Sequence, residues 1–335
     1  MISDTLLKEF KTKNVLVTGG SGLIGRQVVE ILSEAGACIR SVSLDHIMVH
    51  DRVENIVGDL TNLDFCHEIV RNMDFVCHLA GIQGTVQTSS SQMASHFVPT
   101  LMMNANMLEA ARLSKVKKLV YTSSIGAYAE NTILKESDYQ VASDPMSFAG
   151  WAKRMAELQI HAYKVQYEID TFAIVRLSNI YGPGDNFDPK TAMVIPALIA
   201  RIFNGENPLQ VWGDGTAIRD FLYSRDAAEG ILLSLHYGTG GKFINIASGI
   251  GHSIRDIVTV LQSFIDFDYL FDATKPSGAP KRIMDVIRAK ELLGYSPSTD
   301  LPTGLKNTWD WFVNHSGEYK RKMNYFLAEG DRLDG

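Results

Sequence analysis

Through the first half of the chain, short apolar runs alternate with segments whose apolar residues recur at helical spacing. Asn14–Val17 is such a run and opens into glycines, after which Leu23–Ala35 repeats with the period of a helix. Ile39–Leu44 and Asn55–Val57 predict two further strands, Leu63–Arg71 a helix and Phe75–Leu79 a fourth strand. Phe97–Leu113 then predicts a helix, Lys118–Tyr121 a strand, Gly150–Tyr167 a helix and Thr171–Val175 a strand. Strands that alternate with helices need right-handed crossovers. The expected fold is therefore α/β, a doubly wound parallel sheet covered on both faces.

After Asn179 the pattern changes, as Gly182, Pro183, Gly184, Pro189, Pro196 and Pro208 crowd a short stretch. A smaller, mixed α/β, substrate-binding domain is expected beyond it. Residues 1–180, joined again by about 216–246, form the expected first domain, and 181–215 with 247–335 the second. Two domains also suit 335 residues at roughly 150 per domain. Leu301–Asn314 predicts a late helix, followed by a charged tail, Gly317–Gly335. Met1–Asn14, with Asp4, Lys8, Glu9, Lys11 and Lys13, is expected to be a short surface segment. The polar patch Thr85–Gln92 follows the fourth strand and reads equally as a surface loop or an active-site loop.

Composition narrows the function classes. A hydrophobic fraction of 45% with 15 Phe, 12 Tyr and 4 Trp excludes a disordered chain. A net charge of −6 argues against nucleic acid as a partner. No apolar stretch reaches the roughly 18 residues of a membrane span. Cys38, Cys66 and Cys77 lack the count and spacing of a disulfide framework or a zinc site, which suits a cytoplasmic location. The nine histidines include no HExxH or carboxylate cluster, so no metal is expected.

Thr18–Gly25 reads TGGSGLIG, with Gly19, Gly22 and Gly25 at three-residue spacing between a strand and a helix. The first glycine permits a tight turn, the second lets backbone amides approach a pyrophosphate, and the third lets helix pack on strand. Asp45 is the candidate for the ribose carboxylate that selects NAD over NADP, although Ser43 holds a nearby position; NAD is favoured and NADP stays open. Asp59, after the third strand, is a candidate adenine contact.

Further motifs follow in order: HLAG at His78–Gly81, SSIGAY at Ser123–Tyr128, Lys153 early in a helix, NIYGPGDNFDP at Asn179–Pro189, VWGDG at Val211–Gly215, RDFLY at Arg219–Tyr223 and KPSGAPKRIMD at Lys275–Asp285. Together they resemble the extended short-chain dehydrogenase/reductase family, a Rossmann-fold group of nucleotide-sugar epimerases, dehydratases and reductases. The later motifs are most similar to its GDP-fucose synthetase branch. The resemblance spans roughly Lys13–Val313 and implies hydride transfer at a sugar carbon, usually C4, coupled to proton transfer by the tyrosine of a YxxxK motif. It extends the cofactor site to Leu23, Ile24, Leu60, Leu79, Ala80 and Gly81, and implies a homodimer formed through the helices matching Phe97–Leu113 and Gly150–Tyr167.

By the same resemblance, Ser124 is the serine that bonds the reacting oxygen and Lys153 the lysine that holds the nicotinamide ribose. The tyrosine position is Ala149, inside Pro145–Glu157, PMSFAGWAKRMAE, which otherwise keeps the family frame. Losing the phenol removes a general acid/base worth roughly 10²–10⁴ in rate. The survival of every other motif favours an engineered, inactivating replacement over a natural member that uses another group or none. Gly126 and Met193 stand where GDP-fucose synthetases carry the cysteine and histidine of C3/C5 epimerisation. Ile125 and Gly126 stand where dehydratases carry Asp-Glu. What remains is C4 chemistry: oxidation, reduction, or both in sequence as 4-epimerisation. A non-catalytic dinucleotide sensor is the reading from another class. Substrate contacts implied by the motifs are Ser124, Asn179, Val194, Trp212, Arg219, Lys281 and Arg282, with a GDP-sugar favoured over a UDP-sugar.

Overall fold

The computed structural model describes residues 4–82, 91–138, 144–188 and 191–322. The Thr85–Gln92 patch lies largely outside them, as do Pro189 and the tail beyond 322. The first strand, β1 (Asn14–Thr18), lies inside a seven-stranded sheet. Its partners are β2 (Cys38–Ser43), β3 (Glu54–Val57), β4 (Phe75–His78), β5 (Lys118–Ser124), β7 (Phe172–Leu177) and β11 (Phe243–Ile246), in the order β11-β7-β5-β4-β1-β2-β3. Every pairing is parallel. This is the doubly wound Rossmann architecture that the alternation predicts.

Alternate residues of β1 feed opposite faces. Val15 and Val17 join the core under α1 (Asp4–Phe10), α2 (Leu23–Glu34) and α7 (Ser224–Tyr237). Leu16 joins the core under α3 (Leu63–Ile69), α4 (Met93–Leu113) and α5 (Phe148–Tyr167). Because the strand order reverses beside β1, a crevice opens at the carboxyl ends of β1 and β4, where Thr18 and His78 are register partners.

The N-terminal segment corrects its sequence reading. Leu6 and Phe10, one turn apart on α1, are 2% and 1% exposed, and Phe10 packs edge-on against Phe75. Asp4, Lys8, Glu9, Lys11 and Lys13 surround a single apolar stripe, Leu6 and Phe10.

A second sheet has the order β12-β10-β14-β6, built from β6 (Ile133–Leu134), β10 (Ile218–Tyr223), β12 (Gly251–Ser253) and β14 (Lys281–Met284), with β8 (Asn179–Tyr181) also on β10. The 216–246 segment therefore divides: β10 pairs in this second sheet, while α7 and β11 return to the first. A parallel pair, β9 (Leu209–Trp212) and β13 (Tyr269–Asp272), sits with α6 (Val194–Phe203), α8 (Ile254–Gln262) and α10 (Leu301–His315) in the later half, whereas α9 (Ile287–Leu293) returns Ala289 and Leu293 to the core under α7. Tyr181, Phe187, Leu198, Phe221, Leu305 and Phe312 share its core.

Candidate functional site

At the end of β1, Gly19 takes φ +74°, and a Cβ there would lie 3.0 Å from the Ala80 backbone. A Cβ on Gly25 would lie 2.0 Å from the Gly19 carbonyl oxygen, so the start of α2 rests directly on the turn. The turn is pinned to β2: the Gly19 amide donates to the Val42 carbonyl (2.7 Å) and the Ser21 amide to Ser43 Oγ (3.0 Å). Gly22 precedes α2 without a side-chain cap, and the first turn holds no acidic residue. The helix thus begins with free amide donors and a positive dipole end, beside a turn in which Gly19, Gly20 and Gly22 carry no side chain. That surface fits a dinucleotide pyrophosphate. Asp45 is half-buried just beyond β2, where its carboxylate accepts the Ile47 amide (3.2 Å). Asp59 accepts the Thr61 amide (2.9 Å) beside buried Leu60, and α3 is capped instead by Asn62.

A buried polar chain, which the sequence reading missed, joins this turn to the HLAG segment. Thr18 Oγ1 accepts the amides of Leu79 and Ala80, each at 3.2 Å. Its own hydrogen therefore goes to His78 Nδ1 (2.8 Å), and the Nε2–H of the ring donates to Asn104 Oδ1 (3.0 Å). Asn104 Nδ2 donates to the Tyr121 hydroxyl (3.0 Å), which donates to the Lys153 carbonyl (3.4 Å). Burial holds the His78 imidazole down to about 3, so the ring is neutral. The chain fixes Leu79–Gly81 beside Gly19 and ties both to α5.

Ser124 ends β5, with its Oγ accepting the Gly126 amide (3.1 Å). Across from it, Ser147 caps α5 through the Gly150 amide, and a Cβ on Gly150 would strike the Gly126 carbonyl at 1.9 Å. Ala149 is half-buried in the first turn of α5, one turn before Lys153. Lys153 Nζ donates to the Thr122 carbonyl (2.8 Å) and would lie 3.2 Å from a Cβ on Gly81. Burial pushes the ammonium down to about 8, against the supporting charge of Glu157. One turn further on, Glu157 accepts the Ser123 hydroxyl and a bidentate Arg176 guanidinium (2.9 and 2.7 Å). That guanidinium lies 4.3 Å from the Tyr128 ring centroid and 3.7 Å from that of Phe243. The Tyr128 hydroxyl is committed to Asn245 (2.8 Å), and Phe148 is exposed.

The candidate substrate residues gather only in part. Arg219 and Arg282 are register partners on β10 and β14. Burial and the neighbouring Arg282 charge hold the Arg219 pKa below its ordinary value. Arg219 Nη2 donates to the Ser277 carbonyl (3.2 Å), and a Cβ on Gly213 would meet the Ser277 Cβ at 2.8 Å, which brings the exposed Trp212 turn to the same loop. Arg282 pairs with Glu130 (2.8 Å). Asn179 donates to the Asp220 carbonyl (2.9 Å), next to Arg219 in the chain. The side chains of Lys281 and Val194 take no part in these contacts; Val194 simply opens α6.

Among the described residues, no group of three His, Cys, Asp or Glu is placed to hold a metal, and no helix is long and apolar enough to cross a membrane. Three proteins illustrate what the chain is similar to. A GDP-L-fucose synthase of Sinorhizobium fredii is 27% identical over 320 residues, covering 90% of this chain and 96% of the relative. A UDP-glucose 4-epimerase of Thermotoga maritima, solved with UDP-glucose, superposes with a TM-score of 0.80 at 26% identity, over 90% of this chain and 99% of that one. A UDP-glucuronic acid 4-epimerase of Bacillus cereus, solved with UDP-glucuronic acid and NAD, gives 0.76 at 26% identity, with the same coverage. The model of the NAD dependent epimerase/dehydratase family matches residues 15–247, from the strand before the glycine turn to the end of the sheet. The chain belongs to that family.

Proposed function

We propose that this protein is an NAD(P)-dependent oxidoreductase acting at C4 of a nucleotide-activated sugar, a GDP-sugar before a UDP-sugar, with its proton transfer crippled by Ala149. The observation that carries this reading is the convergence of three features at one crevice: the glycine turn Gly19–Gly25, the Gly81 backbone, and Lys153 with Ser124 at the end of β5. In it, the amides of Leu23, Ile24 and Gly25 hold the dinucleotide phosphates, Asp45 the ribose on the adenine side, and Asp59 and Leu60 the adenine. The dinucleotide, when bound, supplies a hydride acceptor or donor. Lys153 holds the nicotinamide ribose and lends positive charge to the reacting oxygen, and Ser124 hydrogen-bonds that oxygen. Arg219 and Arg282, two guanidiniums on adjacent strands, grip the sugar diphosphate. Asn179 and Trp212 flank it. The GDP preference rests on the fucose synthase relative.

Restoring the phenol tests this directly. Ala149→Tyr is expected to raise turnover of a GDP- or UDP-sugar by roughly 10²–10⁴. If that variant binds dinucleotide yet neither oxidises nor reduces any such sugar, the protein is a sensor, not an enzyme. The two epimerase neighbours favour 4-epimerisation as the second reading. An inverted C4 product with no net absorbance change at about 340 nm, the band of a reduced nicotinamide, would select it. We also infer a homodimer through α4 and α5, whose apolar surface includes Val98, Met102 and Met155, each more than 40% exposed (48%, 45% and 42%).

A further inference from the structure

Three glycines of the crevice are dictated by backbone pressed against them. A Cβ would lie 3.0 Å from the Ala80 backbone at Gly19, 2.0 Å from the Gly19 carbonyl oxygen at Gly25 and 1.9 Å from the Gly126 carbonyl oxygen at Gly150. Gly126 itself is different. Its φ lies outside the left-handed region. Among the described residues, the atoms nearest to a Cβ there are Ser124 Oγ (3.6 Å), Ser147 Oγ (3.8 Å) and Gly150 Cα (3.9 Å). Those are ordinary van der Waals distances, so neither the backbone nor the packing demands a glycine. What the missing side chain leaves is a methyl-sized gap faced by two hydroxyls.

Both hydroxyls are fixed in place and keep their hydrogens. Gly126 lies in the short helical turn Ile125–Ala127, and its carbonyl accepts the Met146 amide (3.1 Å), which ties the end of β5 to the segment that enters α5. Ser124 Oγ accepts the Gly126 amide and Ser147 Oγ the Gly150 amide, each at 3.1 Å. A hydroxyl that accepts an amide still has its own hydrogen to donate. Among the described residues, neither hydrogen meets an acceptor. Ser124, Gly126, Ser147 and Ala149 are all half-buried, so the gap is not sealed inside the core. Two donors that face one gap favour an oxygen that accepts from both.

We propose that Ser147 is a second hydroxyl donor to the reacting oxygen of the sugar, and that Gly126 keeps the place between Ser147 and Ser124 open for it. This rests on the nucleotide-sugar reading and on the role of Ser124 within it. Ser147 then serves twice: its oxygen caps α5, and its hydrogen goes to the substrate. The pair orients and polarises that oxygen, and no proton leaves either serine.

The test measures, by calorimetry, the affinity ratio of GDP-mannose to GDP and of UDP-glucose to UDP, for the full chain and three variants. Gly126→Ala puts a methyl where the fold has room for one, and Ser147→Gly removes the hydroxyl at little cost to the cap. Gly126→Ala is expected to lower the ratio by about tenfold and Ser147→Gly by about fivefold, with GDP and UDP binding unchanged. Ser147→Thr, which keeps both cap and hydroxyl, should retain the ratio of the full chain. An unchanged ratio for both sugars in either Gly126→Ala or Ser147→Gly overturns the second donor and leaves the nucleotide-sugar reading intact. So does a loss that falls equally on the bare nucleotides, which would mark a merely structural serine. A full chain that takes up neither nucleotide sugars nor nucleotides overturns that reading, and the second donor with it.

Discussion

At position 149 a methyl group stands one helical turn before an ammonium held down to about 8, and the proposed proton chemistry turns on this pair of residues. The sequence alone singles out both, because an alanine at the tyrosine position of an otherwise intact frame is visible without coordinates. The role of His78 was not visible. A histidine at a strand end has many uses, and only the Thr18 and Asn104 bonds assign its tautomer. Its titration carries a prediction. Folded, the ring stays neutral to about 3, whereas an unfolded imidazole protonates near 6.5, so the unfolded chain binds the extra proton between those values. The contribution of His78 is intact above about pH 6.5 and falls by about 1.4 kcal/mol per pH unit below it. Urea unfolding of the parent chain should lose about 2 kcal/mol from this group between pH 6.5 and pH 5, and His78→Gln should lack that increment. Equal slopes for the two would show that His78 is protonated when folded.

At the scale of elements, α5 is held by buried polar contacts as well as by its apolar face. Glu157 ties it to β5 through Ser123 and to β7 through Arg176, while Lys153, one turn earlier, is held by the Thr122 carbonyl. The hydrophobic pattern ends β5 at Tyr121, because Thr122, Ser123 and Ser124 read as a polar loop. The parallel ladder instead continues, with Ser124 opposite Leu177, since the buried hydroxyl of Ser123 finds its acceptor on a helix distant in sequence. Glu157→Gln removes the carboxylate charge that the wholly buried Arg176 guanidinium pairs with. It should cost about 3–5 kcal/mol in denaturant unfolding. A loss below about 1 kcal/mol would mean the pair is not buried as described.

For the whole molecule, the apolar faces that α4 and α5 turn to solvent predict a dimer in sedimentation at micromolar concentration, with Val98→Glu plus Met102→Glu shifting it to monomer. A parent chain that sediments as a monomer at tens of micromolar would sink the dimer. The sequence by itself determined the alternation of strands and helices, the glycine turn and the order of the site motifs. Those are properties of neighbouring residues: period, backbone freedom and spacing. Tertiary structure alone decided that β10 leaves the first sheet, that Ser43 pins the turn, and that Arg219 lies beside Arg282. It also brought Ser124 and Ser147 to the same gap at Gly126. Such contacts join residues tens to hundreds of positions apart, and their strength depends on how far water is excluded, which no local pattern encodes.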